Sequence, residues 1–155
     1  MEYTIIGFPR IGEHRDLKKL TESYWKKELN QEEYLKEVDK LKVKQFVIEK
    51  ESGLCQIPVL DYSLYDLVLD TIFTLGVEPK RYKDLGLNYL DTYFAAARGY
   101  QGEKGDVKAL TMKKWFNTNY HYMVPELDDD SKFNLNFDNI KNTILKYKEL
   151  DNSFK

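Results

Sequence analysis

Tyr3-Thr4-Ile5-Ile6-Gly7-Phe8-Pro9-Arg10-Ile11-Gly12-Glu13-His14-Arg15-Asp16-Leu17-Lys18 reads as a strand, a shaped loop and the start of a helix. Residues 3–6 are an apolar, β-prone run. Pro9 has no N–H, and Gly7 and Gly12 allow backbone angles closed to other residues, so the extended run ends there. From about Arg15 the period becomes helical. Leu17, Leu20 and Tyr24 fall near one face, while Lys18, Lys19, Lys26 and Lys27 mostly point to water. Arg15 and Lys18 are three apart, so they share a face of the first turn, where the positive end of the helix dipole adds to both charges. Such a corner suits a polyanion, either a phosphate or a row of carboxylates. An ordinary solvated, lysine-rich helix start has the same pattern. The loop carries neither a Gly-Lys-Ser/Thr step nor Gly-x-Gly-x-x-Gly, which sets aside a P-loop and a dinucleotide fingerprint.

Working outward, Asn30 reads as the cap of a second helix, with Glu32 and Glu33 in its first turn. Tyr34, Val38, Leu41, Gln45 and Ile48 form its stripe, and Gly53 ends it. Residues 56–60 are the next strand candidate, with Asp61 just past its end. Ser63 and Asp66 have capping-box spacing before the apolar face of Leu64, Leu67, Val68, Thr71, Ile72 and Leu75, which Gly76 and Pro79 stop. A helix over residues 90–97 ends at Gly99, and residues 99–105 read as a mobile loop. Residues 115–124 are aromatic and β-prone up to Pro125, and Asp138 caps a last helix carrying Ile140, Ile144, Tyr147 and Leu150. Strands separated by helices imply an α/β fold with parallel strands and covering helices. Three strands make a small sheet whose edges need partners.

Composition bounds the function. The 155 residues are expected to form a single domain over 1–155, and 42% hydrophobic content suffices for a core. A net charge of -2, from 24 basic and 26 acidic residues, gives no bulk field for nucleic acid or an anionic membrane. No apolar run is long enough for a membrane span, and the N-terminus lacks the basic and apolar regions of a signal peptide, so a cytoplasmic location is expected. One cysteine and two histidines exclude an internal disulfide framework and argue against a metal site built within the chain.

Parallel α/β sheets bind ligands beyond the C-terminal ends of their strands. Three segments fall there: the 7–12 loop with Arg15 to Lys18, Asp61-Tyr62, and Pro125-Glu126. Asp61 suits a general base, a substrate acceptor or a simple Asx turn. The run Lys113-Lys114-Trp115-Phe116-Asn117-Thr118-Asn119-Tyr120-His121-Tyr122 interleaves cations with aromatics. That pattern fits a flat heterocycle or single-stranded nucleic acid, and equally a buried strand whose aromatics fill a core, the reading favoured here. His121 then reads as a hydrogen-bonded core histidine, and Cys55 as a small apolar packing residue.

The blocks Gly7-Phe8-Pro9-Arg10-Ile11-Gly12, Arg15-Asp16-Leu17-Lys18-Lys19, Glu22-Ser23-Tyr24-Trp25, Ile57-Pro58-Val59, Asp61-Tyr62-Ser63-Leu64-Tyr65-Asp66, Val68-Leu69-Asp70-Thr71 and Lys114 through Glu126 together resemble the start of cobalamin-independent methionine synthase. They lie in family order over about the first 126 residues. The resemblance implies transfer of a methyl group from 5-methyltetrahydropteroyltri-L-glutamate to homocysteine, giving methionine. It implies two (β/α)8 barrels, with this chain a partial TIM barrel: the N-terminal fragment of the folate-binding barrel, about three-eighths of one by strand count. It further implies that Arg15, Asp16, Leu17, Lys18 and Lys114 bind the polyglutamyl folate, with Asp16 standing where the family usually has Glu.

The family's zinc, held by His, Cys, Glu and Cys, belongs to the missing C-terminal barrel, as does the homocysteine pocket. No cofactor is therefore expected in this chain, catalytic residues are expected to be absent, and the fragment is expected to be inactive alone. Its expected partners are the pteroyl polyglutamate and the missing C-terminal barrel. The alternative is a stand-alone interaction module that pairs its open sheet edges with a second copy, as a homo-oligomer, or with a separate C-terminal half. A nucleic-acid binder using residues 113–122 is disfavoured by the balanced charge.

Overall fold

The protein is described here over residues 2–151 in a computed structural model. Its elements are α1 (Asp16–Trp25), α2 (Gln31–Glu51), α3 (Leu67–Leu75), α4 (Lys80–Lys83), α5 (Tyr89–Arg98), β1 (Tyr100–Gly102), β2 (Gly105–Val107), β3 (Met112–Lys114), β4 (His121–Met123) and α6 (Asp138–Leu150). The described residues form two compact units, one of residues up to 64 with those from 138 onward, the other of residues 65–137.

The first unit is built on α2. The Asn30 side chain accepts from the Glu33 N–H at 3.0 Å, and the Glu33 carboxylate accepts from the Asn30 N–H at 2.9 Å, a complete capping box. Thr21 of α1 meets the buried Tyr34 hydroxyl at 3.1 Å, and the Tyr24 and Tyr34 rings lie 4.9 Å apart. Phe46, Ile57 and Tyr147 form a buried cluster joined by Leu54, with the Phe46 and Tyr147 rings 4.5 Å apart. Ion pairs Lys146–Asp39 and Lys50–Asp151, the latter at 2.8 Å, add charge contacts around α6.

The described residues mix α-helices with short strands, as expected of an α/β chain, but their two sheets are small and antiparallel, and the expected parallel sheet is reduced to one bridge. Residues 3–6 and 56–60 meet at a single parallel bridge between Thr4 and Gln56. There the Cys55 N–H donates to the Tyr3 carbonyl at 2.9 Å and Thr4 Oγ1 to the Gln56 carbonyl at 3.3 Å. The physical reason is burial. A lone strand pair is marginal in water, and parallel pairing is weaker per residue than antiparallel. Ile57 is buried, but Ile6 is fully exposed and Leu60 is 58% exposed, so the far ends of the two runs gain little from pairing. Cys55 is exposed beside this bridge rather than packed.

In the second unit the sheets are antiparallel. Asp66, not Ser63, caps α3, accepting from the Leu69 N–H at 2.9 Å. Gly76 ends α3 at φ +66°, where a side chain would strike the Asn134 carbonyl. The Asn134 and Asn136 N–H groups then donate to the Leu75 and Thr74 carbonyls at 2.9 and 2.7 Å. The segment read as a mobile loop is the hairpin β1–β2, in register Tyr100–Val107 and Gln101–Asp106. The aromatic run is a second hairpin, with Met112 opposite Met123 and Lys114 opposite His121, so residues 115–120 are its turn. The Trp115 N–H donates to the Tyr120 carbonyl at 2.7 Å across that turn. Trp115, Phe116 and Tyr120 are exposed rather than in the core. His121 is exposed too, its Nδ1 2.9 Å from the Asn119 carbonyl.

Candidate functional site

The 7–12 loop and the first turn of α1 hold the sequence candidates of the first unit. Arg15 is the N-cap of α1 and sits in the left-handed region at φ +60°, without a side-chain cap. A non-glycine residue there costs on the order of 1–2 kcal/mol, and such strain collects at functional sites. The Arg15 N–H donates to the Gly12 carbonyl at 3.2 Å, and its side chain is exposed. Lys18 is exposed as well, within 3.6 Å of Glu22 one turn on. Asp16 turns back, accepting from the His14 N–H at 3.3 Å. A side chain on Gly12, at φ +83°, would lie 2.5 Å from that carboxylate. Leu17 is 1% exposed and its N–H donates to the Ile11 carbonyl at 3.1 Å. Leu17 therefore anchors the helix, while Arg15 and Lys18 present charge. Lys114 lies in the other unit, exposed at the end of β3.

The loop also walls a cleft of about 340 Å³ that the sequence reading missed, with Phe8, Pro9, Arg10, Asp16, Lys44 and Tyr62 in its lining. Lys44 stands 3.7 Å from Glu13. The signal for this cleft was Gln45, a polar residue inside the apolar stripe of α2. Gln45 is buried, and its Nε2 donates to Asp61 Oδ2 at 3.0 Å and to Glu49 Oε1 at 3.4 Å. Asp61 Oδ2 also accepts the Phe8 N–H at 2.8 Å, so Asp61 ties the loop down. Glu49 is 1% exposed; burial first, and the neighbouring Asp61 charge second, push its carboxyl up to about 7, against the Gln45 hydrogen bond.

The third predicted ligand segment is engaged within the second unit. Glu126 forms a two-pronged pair with Arg81, which holds its carboxyl below the usual range. Among the described residues no group of three or more His, Cys, Asp or Glu side chains is placed to hold a metal. No helix is long and apolar enough to cross a membrane among the described residues.

Comparison with known proteins gives consistent matches. A 5-methyltetrahydropteroyltriglutamate–homocysteine methyltransferase of Streptococcus suis is 55% identical over 135 residues, covering 87% of this chain and 18% of that protein. Its namesake in Streptococcus pneumoniae is 50% identical over 150 residues, covering 97% and 20%. That of Streptococcus thermophilus is 54% identical over 128 residues, covering 83% and 17%. The matches thus span about a fifth or less of the relatives' length. Residues 2–155 match the family described as cobalamin-independent synthase, N-terminal domain, and the chain belongs to that family.

Proposed function

We propose that this chain supplies part of the binding surface for the glutamate tail of 5-methyltetrahydropteroyltriglutamate, in a methyltransferase whose chemistry lies outside it. The observation that carries this reading is the exposed Arg15–Lys18 corner, with Arg15 held in a strained conformation at a helix start. The names of the relatives supply the tail, a row of carboxylates, as its natural partner. Arg15 and Lys18 pair with tail carboxylates, Asp16 braces the turn through the His14 N–H, Leu17 anchors α1, and Lys114 provides a further cation. On this reading the homocysteine pocket and the group that activates its thiol lie outside this chain, so the chain alone binds and does not turn over.

Calorimetric titration with the triglutamate at low salt tests this. Arg15→Ala and Lys18→Ala are each expected to weaken binding about 3–10-fold, close to 1 kcal/mol, as exposed charge pairs do. The monoglutamate should be insensitive to either change. Equal triglutamate affinity in wild type and both variants would refute the assignment, as would methionine formation by the chain alone refute the division of labour.

A second reading is favoured by the apolar edge around the Thr4–Gln56 bridge, where Tyr3, Ile6 and Leu60 are exposed. In that reading the edge pairs with a second copy or with a separate C-terminal half. Light scattering at rising concentration is expected to show a dimer that Ile6→Lys abolishes; a strict monomer removes the self-pairing form.

A further inference from the structure

The buried Glu49 and the half-buried Asp61 both accept from one amide in the first unit, and each has a buried oxygen without a hydrogen-bond partner. Gln45 Nε2 donates to Glu49 Oε1 at 3.4 Å and to Asp61 Oδ2 at 3.0 Å. Glu49 Oε2 and Asp61 Oδ1 are both buried and without a hydrogen-bond partner. Two ionised carboxylates so placed would repel and leave two acceptors unpaired, each a costly condition. A proton on Glu49 removes the repulsion and turns one unpaired acceptor into a donor.

We propose that Glu49 keeps a proton beside the Asp61 carboxylate, and that this proton makes Glu49 a positioning residue for the 7–12 loop. The link is short. Asp61 Oδ2 accepts the Phe8 N–H at 2.8 Å, and Gly7 is so close to Asp61 that an added Cβ would lie 3.3 Å from the Asp61 Cβ. The loop that carries Arg10 into the cleft is thus seated on one member of the acid pair. Losing the proton puts a buried negative charge beneath it.

The groups facing the pair from neighbouring elements are Tyr62 beside Asp61 and Tyr147 of α6. Beyond them, Arg10, Asp16 and Tyr34 reach Tyr62, as does Lys42, whose ammonium lies 5.7 Å from its ring centre. Asp39, paired with Lys146, faces Tyr147. Burial pushes both phenols above their ordinary range, so neither titrates between pH 5 and 8. Glu49, pushed up to about 7, does. The sign follows from linkage. The seated loop binds the proton more tightly than the released loop, in which Glu49 returns to its ordinary value. Release therefore becomes easier as pH rises towards 7, by up to about tenfold per pH unit, and levels off above it.

The test is a carbon-detected NMR titration of the Glu49 carboxyl in the 155-residue chain, with amide exchange of Phe8 followed over the same range. Glu49 is expected to titrate near 7 in wild type. In Asp61→Asn, whose amide can donate to an ionised Glu49, it should fall towards 4.5. Phe8 protection should drop steeply from pH 5 to 7 in wild type. It should stay flat in Glu49→Gln, whose amide supplies the missing donor at every pH. A wild-type titration at the ordinary carboxylate value would overturn the proposal, as would an unchanged value in Asp61→Asn or a pH-independent Phe8 amide in wild type. None of these readings depends on the polyglutamate assignment, which stands or falls on the calorimetry.

Discussion

Asp66→Ala is expected to destabilise the protein by about 3–5 kcal/mol in denaturant unfolding, the largest loss from any single polar residue described here. Asp66 is 2% exposed and its carboxylate organises three separate segments. Oδ2 accepts from the Leu69 N–H at 2.9 Å, capping α3, and from the Met123 N–H at 3.0 Å, fixing the end of β4. Oδ1 accepts from the Tyr120 hydroxyl at 3.0 Å, holding the aromatic turn. Alanine would strip the cap, worth about 1 kcal/mol, and leave a buried N–H and a hydroxyl without acceptors. Asp66→Asn keeps one carbonyl oxygen and should recover roughly half of the loss. A destabilisation under about 1 kcal/mol for the alanine variant would mean that water replaces these bonds.

Phe46→Ala should cost a similar 3–5 kcal/mol, through packing instead of hydrogen bonds. Phe46 is 1% exposed, stacks on Tyr147 and lies in the cluster with Ile57. The remaining face of α6 offers little else, since Ile144, Leu145 and Leu150 are all exposed. The expected signature is therefore specific. Limited proteolysis of the variant should cut within α6 before it cuts α2. Phe46→Leu, which retains most of the volume, should lose under about 2 kcal/mol and keep α6 protected. Uniform proteolysis along the chain would show that Phe46 supports the whole unit and not the docking of one helix.

The helices were legible because their signals are local. Asn30 and Glu33 close their box across one turn, and Gly76 stops α3 as its position implies. The Arg15–Lys18 corner was legible for the same reason, since spacing alone puts both side chains at a helix start. Pairing between distant strands carries no comparable local code. Residues 3–6 and 56–60 have the composition of strands, yet whether they extend a ladder depends on what covers Ile6 and Leu60. The cleft escaped notice for another reason. Spacing puts Gln45 in an apolar stripe, although its chemistry marks a place where the carboxylates of Glu49 and Asp61 need a donor. Asp66 was seen as a capping partner of Ser63, but its bonds to Tyr120 and Met123 join residues more than fifty positions apart.

The Thr4–Gln56 bridge closes a span of 52 residues with little to hold it. Bringing together the ends of a free chain of that length costs about 3.5 kcal/mol in entropy. The two hydrogen bonds at the bridge return roughly 1 kcal/mol each. The bridge does not sustain itself. It depends on α1 packed on α2 and on the 7–12 loop seated on Asp61, which shorten the free span to a few residues on either side. The most barrel-like feature of the chain is thus a marginal closure, dependent on the helices and the loop around it.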